Sequence, residues 1–231
     1  MSDRLRVGGL VPLTTVDFPD QLACVLFCQG CGWRCRYCHN PQLIPARGEQ
    51  ETCWDDILGF LRQRVCLLDA VVFSGGEPTL QPALPEAMAE VRALGFKVGL
   101  HSAGIKPKLF RRVLPLVDWV GFDVKALPEQ STLITGVAGS GAANWQSLRH
   151  LLDSGVAHEC RTTVHWHLLA AEHLWDMARR LRALGVERFV VQLARNARML
   201  DQSLPQAPAP QDVSGLWARL DELFPSFLLR D

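Results

Sequence analysis

Short apolar runs rich in Val and Phe alternate along this chain with amphipathic stretches, and that alternation restricts the possible fold more than any single residue does. The runs lie at 22–28, 70–74, 97–101, 119–124, 159–164 and 188–193. Between them, 54–64, 84–94, 107–114, 145–153 and 172–184 read as helices, and 213–224 as a last, closing helix. Gly95, Gly155 and Gly185 each stand shortly before an apolar run, where a glycine ends a helix. Continuous apolar strands alternating with amphipathic helices read as parallel βα units. Six units are too few to close an eight-fold barrel. The expected fold class is therefore α/β, a partial open (β/α)6 barrel with parallel strands. A length of 231 residues suits a single domain over 1–231. In its C-terminal segment, about 204–231, the Pro- and Ala-rich stretch 204–210 reads as a linker, or as a loop that clamps the closing helix on.

In such folds ligands gather at the C-terminal ends of the strands. The unusual residues of this chain fall there. Cys31, Cys35 and Cys38 follow the first strand as CxxxCxxC, Gly75-Gly76-Glu77-Pro78 follows the second, His101-Ser102-Ala103-Gly104 the third, and Asp123 and Lys125 end the fourth. Three thiolates this close can ligate three corners of an iron–sulfur cube. A [4Fe–4S] cluster normally takes four cysteines, so three leave one iron open to substrate or cofactor. Cys28 offers a fourth thiol, which keeps open a structural zinc or a fully ligated cluster. Structural zinc usually pairs two separated knuckles, whereas these thiols crowd one loop. Asp123 and Lys125 alternate on one face, directed at the barrel interior. Opposite charges there are costly unless paired or bound to ligand. Arg161 has the shape to clamp a carboxylate, or it pairs with Glu159 on the same strand face.

Composition removes other classes. Lys plus Arg equals Asp plus Glu at 24 each, with no basic run. Non-specific nucleic-acid binding needs a basic footprint, so it is disfavoured. No apolar stretch reaches membrane-spanning length without a charge or breaker. The opening Met1-Ser2-Asp3-Arg4-Leu5-Arg6 lacks the apolar core of a secretion signal. A cytoplasmic location is expected, and with it metal chemistry for the eight cysteines in preference to disulfides. Cys24, Cys53, Cys66 and Cys160 read as small buried hydrophobes.

CxxxCxxC with Tyr37, the only tyrosine of the chain, before the last cysteine resembles the signature of the radical S-adenosylmethionine (radical SAM) superfamily. The GGEP block resembles that superfamily's glycine-rich segment. The ending Cys38-His39-Asn40-Pro41 is similar to the glycyl-radical-enzyme activating enzymes, and most to the activating proteins of the anaerobic (class III) ribonucleoside-triphosphate reductase. The similarity runs from about residue 9 to about residue 196.

The resemblance implies the same barrel, a [4Fe–4S] cluster on Cys31, Cys35 and Cys38, and S-adenosylmethionine as cofactor. It implies that the C–S bond is cleaved reductively to a 5′-deoxyadenosyl radical, which abstracts hydrogen. Cluster potentials span roughly −700 to +450 mV. This reaction needs the low end, and so a flavodoxin- or ferredoxin-type donor. By resemblance, Gly75, Gly76 and Glu77 hold the methionine amino end, Tyr37 packs by the adenine and Asn40 lies near cofactor and substrate. Ser102, Asp123 and Lys125 complete the site, and Arg161 meets the carboxylate. Thr135-Gly136 and Gln192 resemble family positions more weakly. His39 accompanies Asn40, and His165 and His167 are unassigned. The pyruvate formate-lyase type has Asp-Thr-Asn-Gly where this chain has His101-Ser102-Ala103-Gly104, so a cation site built on that acid is not expected here.

Three functions compete on these residues. The first is an activase that makes a glycyl radical on a partner, the anaerobic ribonucleotide reductase or another glycyl-radical enzyme such as pyruvate formate-lyase. The second is a radical enzyme acting on a small molecule, as 7-carboxy-7-deazaguanine synthase-like relatives do. The third is a non-enzymatic iron–sulfur or zinc protein, which would leave Gly75–Pro78 and Asp123–Lys125 without a purpose.

Overall fold

A computed structural model describes residues 4–195, 199–205 and 208–230. Residues 1–3, 196–198 at the end of the resemblance, 206–207 within the Pro- and Ala-rich stretch, and residue 231 lie outside that description.

The apolar alternation becomes a single curled sheet. In chain order its elements are β1 (Val7–Thr14), β2 (Ala23–Cys28), α1 (Trp54–Arg62), β3 (Ala70–Gly75), α2 (Leu84–Ala93), β4 (Lys97–Ser102), α3 (Pro107–Val113), β5 (Trp119–Asp123), α4 (Ser131–Thr135), α5 (Ser140–Ser154), β6 (Ala157–Val164), α6 (Ala171–Ala183), β7 (Arg188–Leu193), α7 (Val213–Leu223) and β8 (Ser226–Arg230). Neighbours in sequence are neighbours in the sheet, from β1 through β8. β2 to β8 pair in parallel, with registers such as Leu26 opposite Phe73, Phe122 opposite Cys160 and Val190 opposite Leu228. β1 pairs antiparallel with β2, and among the described residues no ladder joins it to β8, so the barrel stays open.

Period-two alternation splits each strand between two cores. One set of side chains, including Leu26, Phe73, Leu100, Val120, Cys160 and Phe189, packs under the helices against Ile57 and Leu61 of α1, Met88 of α2, Phe110 of α3, Leu148 of α5, Leu181 of α6 and Leu220 of α7. The other set plugs the barrel interior: Ala23, Val25, Ala70, Val72 and Trp119 close around Phe18. Full burial of each large apolar side chain contributes about 1.5–3 kcal/mol. The plug fills the N-terminal end and leaves the C-terminal rim for a cavity.

The six parallel strands stand where the pattern placed them, within a residue or two at the ends, and three elements were not anticipated. β1 carries Gly8, Gly9 and Pro12 and is broken by two register shifts, so it lacks a clean alternation. β8 follows Pro225 directly after α7, so the C-terminal segment is more than a linker and a helix; it adds a strand. α4 is five residues rich in β-branched side chains, weak helix formers held by tertiary contacts. α5 also starts at Ser140, five residues ahead of the stretch read from the sequence. Two of the four cysteines read as buried are exposed: Cys53 flanks the start of α1 and Cys66 sits in a turn at φ +65°. Among the described residues no helix is long and apolar enough to cross a membrane.

Phe189 tests the closing strand. It is fully buried, 4.9 Å from the Phe224 ring and 6.4 Å from the Phe227 ring. Phe189→Ala is expected to cost about 3–5 kcal/mol, read as a lower urea midpoint under anaerobic conditions.

Candidate active site

The cysteine loop is held on three sides by backbone hydrogen bonds. Gly30 and Cys31 donate to Leu43 O and Ile44 O at 2.8 and 3.0 Å. Arg34 and Arg36 donate to Thr135 O and Ile134 O of α4, both at 2.9 Å. On the other side Leu200 and Asp201 donate to Cys38 O and Arg36 O, reinforced by an Arg36–Asp201 ion pair at 2.8 Å. Thr135 therefore supports the loop through its backbone.

The glycine loop holds it from a fourth direction. Gly76 donates to Cys28 O at 2.9 Å and Glu77 to Gly30 O at 2.8 Å. Gly75 has φ +108°, and a Cβ there would lie 2.5 Å from Cys28 N. A Cβ on Gly76 would collide with Gly30 O and come within 3.0 Å of Leu43 O. The close approach these glycines permit is thus first of all to the cysteine loop itself.

Cys31, Cys35 and Cys38 line one cavity of about 290 Å³, together with Tyr37, Asn40, Gly75, Gly76, Glu77, Ser102, Asp123, Lys125 and Arg161. Every residue that the resemblance gave to the cluster or to S-adenosylmethionine is on that wall, whereas the weaker positions Thr135 and Gly136 are not. Nor is Cys28. It is fully buried in the outer core and faces away from the cavity. Among the described residues no three His, Cys, Asp or Glu side chains converge on a single metal ion. The three thiols border a wider space, which suits a polynuclear group better than zinc. Burial pushes the Cys31 thiol up to about 12 and raises Cys35 as well, against the pull of Lys125. Bound iron would supply the positive charge that favours the thiolates.

Glu77 is buried, and its carboxylate is filled by protein donors. Oε1 accepts from Thr79 N at 3.2 Å, Thr79 Oγ1 at 2.6 Å and Ser102 Oγ at 2.7 Å, and Oε2 from Ala103 N at 3.1 Å. Burial raises its proton affinity and these hydrogen bonds pull it part of the way back. Ser102 Oγ also accepts from Gly104 N at 2.9 Å. Glu77 and Ser102 therefore spend their polar atoms on each other, joining the loops after β3 and β4.

The charged residues are paired, as the cost of burial demands. Lys125 Nζ meets Asp123 Oδ2 at 2.9 Å and lies 5.9 Å from the Tyr37 ring centre. Burial works against the ammonium, but Asp123, Tyr37 and Cys35 together outweigh it and hold Lys125 well above its usual range. Arg161 Nε donates to Glu159 Oε1 at 2.7 Å, and Arg230 of β8 reaches the same oxygen at 3.2 Å. The guanidinium lies 5.1 Å over Trp119 and occupies the space left by Gly121, whose Cβ would be 2.5 Å from Arg161 Cζ. His101 stands 3.1 Å from Arg161 Nη1 and 2.8 Å from Asp17 O. Its burial, and then Arg161, keep the ring neutral by lowering it well below the usual histidine range. Two buried polar atoms on cavity residues, Tyr37 Oη and Arg161 Nη2, have no hydrogen-bond partner in the protein. A polar ligand would satisfy them.

A second chamber of about 550 Å³ shares Asp17, His39, Arg161, Thr163 and Gln192 with the first and adds Val16, Arg195 and Arg230. Sequence reasoning missed Asp17 and Arg230, because neither lies in a patterned segment. His167 is exposed, and His165, though buried, does not line either chamber.

The family model of the radical SAM superfamily matches residues 25–191, which runs from β2 into β7. The chain belongs to the radical SAM superfamily. That superfamily uses a [4Fe–4S] cluster and S-adenosylmethionine, and the three-thiol loop and the unpaired polar atoms of the cavity fit both. The chain is 29% identical over 216 residues, 89% of its length and 87% of the relative's, to a Methanocaldococcus jannaschii protein provisionally named a glycyl-radical enzyme activating enzyme. It is 31% identical over 142 residues to the pyruvate formate-lyase-activating enzyme of Clostridium pasteurianum, which covers 59% of each chain. In fold it resembles Streptococcus suis SuiB bound to S-adenosylmethionine, with a TM-score of 0.68 at 14% identity over 88% of this chain. It spans about half, 48%, of the SuiB chain.

The burial of Cys28 in the outer core yields a direct expectation. After anaerobic reconstitution, Cys28→Ala should retain wild-type iron and sulfide, while Cys31→Ala, Cys35→Ala and Cys38→Ala each lose most of both. Equal loss in Cys28→Ala would indicate a four-thiol site.

Proposed function

We propose that this radical SAM enzyme is an activase that installs a glycyl radical on a partner enzyme, acting as one domain in the cytoplasm. The observation that carries the reading is that two chambers adjoin. The cavity bordered by the three thiols shares five wall residues with a larger one, which is lined from the segment after β1 and the ends of β6, β7 and β8. A polypeptide loop bearing a glycine needs such an approach to bring its Cα beside the cofactor. The names of the two relatives support the same reading.

In this proposal Cys31, Cys35 and Cys38 hold the cluster. Tyr37, Asn40, Gly75, Gly76, Glu77, Ser102, Asp123, Lys125 and Arg161 build the S-adenosylmethionine site. Glu77 and Ser102 act by shaping the wall, and Arg161 presents its unpaired Nη2 to the carboxylate. Held there, the cluster and S-adenosylmethionine would supply the one-electron chemistry, with a flavodoxin- or ferredoxin-type donor as the electron source and a hydrogen atom of the partner's glycine as the target. The protein's part is to orient the cofactor and hold it away from water. Glu159 and Arg230 fix the Arg161 guanidinium from behind, and the Asp123–Lys125 pair, which starts opposite Arg161 in the β5–β6 ladder, lines the cavity beside it together with the Tyr37 ring.

The partner we favour is the anaerobic ribonucleotide reductase, on the ending Cys38-His39-Asn40-Pro41 and on His101 in place of the acid of the pyruvate formate-lyase type. Pyruvate formate-lyase is the second reading, favoured by the match to the Clostridium enzyme.

Arg161→Ala should weaken S-adenosylmethionine binding roughly 10- to 100-fold, the worth of a hydrogen bond to a charged group, with iron content unchanged in a parallel assay. Gly76→Val should act differently. It drives a side chain into Gly30 and so should reduce cluster loading itself.

The functional test mixes the reduced enzyme, S-adenosylmethionine and candidate glycyl-radical enzymes without oxygen. A glycyl-radical doublet in the electron paramagnetic resonance spectrum of the reductase, with stoichiometric 5′-deoxyadenosine, is expected. Steady 5′-deoxyadenosine formation with no radical on any glycyl-radical enzyme would transfer the assignment to a small-molecule substrate.

A further inference from the structure

Helix α5 touches the cavity only through the backbone of other segments. Asn144 is fully buried on it and does not line either chamber. Its Nδ2 donates to Ala103 O at 2.7 Å and to Asp123 O at 2.9 Å. Those carbonyls belong to different walls: Ala103 follows β4 beside Ser102, and Asp123 ends β5 two residues before Lys125. Close by on the same helix, Trp145 Nε1 donates to Ala126 O at 2.9 Å and Ser147 Oγ to Gly104 O at 2.5 Å. A Cβ on Gly104 would collide with Ser147 Cβ, so loop and helix are in direct contact. A primary amide can donate two hydrogen bonds from one nitrogen, and here the two go to two strands' loops.

We propose that Asn144 is a positioning residue for the S-adenosylmethionine site: it fixes the spacing between the wall bearing Ser102 and Ala103 and the wall bearing Asp123 and Lys125. The inference rests on reading the first chamber as the cofactor site. Its reach follows from connectivity. Asp123 is the partner of Lys125, and the Ala103 amide is a partner of Glu77. A shift of either carbonyl is therefore carried to charged groups on both sides of the cavity. Nothing in the sequence marks Asn144, which sits mid-helix where an amide has no local role.

The test uses the reconstituted full chain with Asn144→Ala, the milder Asn144→Ser, and Leu148→Ala as a control. Leu148 is a fully buried core residue of the same helix with no hydrogen-bonding group. Iron content, thermal midpoint, S-adenosylmethionine affinity, and the change in the reduced cluster's electron paramagnetic resonance line shape on cofactor binding are measured for each. Asn144→Ala should keep wild-type iron, bind S-adenosylmethionine about tenfold more weakly and alter the cofactor-bound line shape. Asn144→Ser should fall between Ala and wild type. Leu148→Ala should lower the thermal midpoint at unchanged affinity. Wild-type affinity and line shape in Asn144→Ala, or equal weakening by Leu148→Ala, would overturn the proposal. Should the Ala variant not fold, the Ser variant is judged by the same criteria. Arg161→Ala, measured alongside, separates the levels. If it too binds as wild type, the cofactor site is elsewhere and the positioning role falls with it. If it binds weakly while Asn144→Ala does not, only the positioning role fails.

Discussion

The cysteine loop and the glycine loop are one unit, and the rest of the site depends on their contact. Gly76 and Glu77 donate into the backbone at Cys28 and Gly30, and neither Gly75 nor Gly76 leaves room for a Cβ. The loop carrying three thiols leaves the sheet at the end of β2, and it could swing freely if only its own sequence restrained it. Fastened to the loop after β3, it is fixed relative to the adjacent parallel strand. The thiols, the glycine backbone and the buried Glu77 then hold a constant spacing. Such preorganisation is what a catalytic centre needs from its scaffold.

A second constraint follows from placing charge inside a barrel. Glu77, Asp123, Lys125, Glu159 and Arg161 all lie at or behind the cavity, and each finds a partner within the protein. The pairings do more than offset desolvation. Two of them also link strands: Glu77 ties the loop after β3 to the loop after β4, and Arg230 ties β8 to β6 through Glu159. What stays unsatisfied, Tyr37 Oη and Arg161 Nη2, marks where a polar ligand is awaited. His101 adds shape and a neutral ring where an acid would have brought negative charge.

Much of this could be read before any coordinates. The six parallel strands and their order follow from apolar runs separated by amphipathic helices, since that pattern has few solutions. The site residues follow from motif spacing and from the rule that strand C-termini carry function. Asp123 and Lys125 were placed on one face by alternation alone, and they do form a pair. The Glu159–Arg161 pair was legible for the same reason, but not that it coexists with a guanidinium on the cavity wall.

The sequence by itself determined the parallel α/β barrel, the radical SAM motif set and the rim on which it gathers, because periodicity and spacing are local and survive without tertiary context. Only the tertiary structure decided which thiol stays out. Cys28 and Cys31 are three residues apart, and between them the chain turns at Gly30, with one thiol in the core and the other on the cavity. Only it could supply β1, β8 and α4, whose local preferences are weak. The bonds of Asn144 to Ala103 and Asp123, and of Arg230 to Glu159, belong to the same class. Hydrogen bonds between segments tens of residues apart leave no periodic trace, since nothing in the chain near either end requires the other.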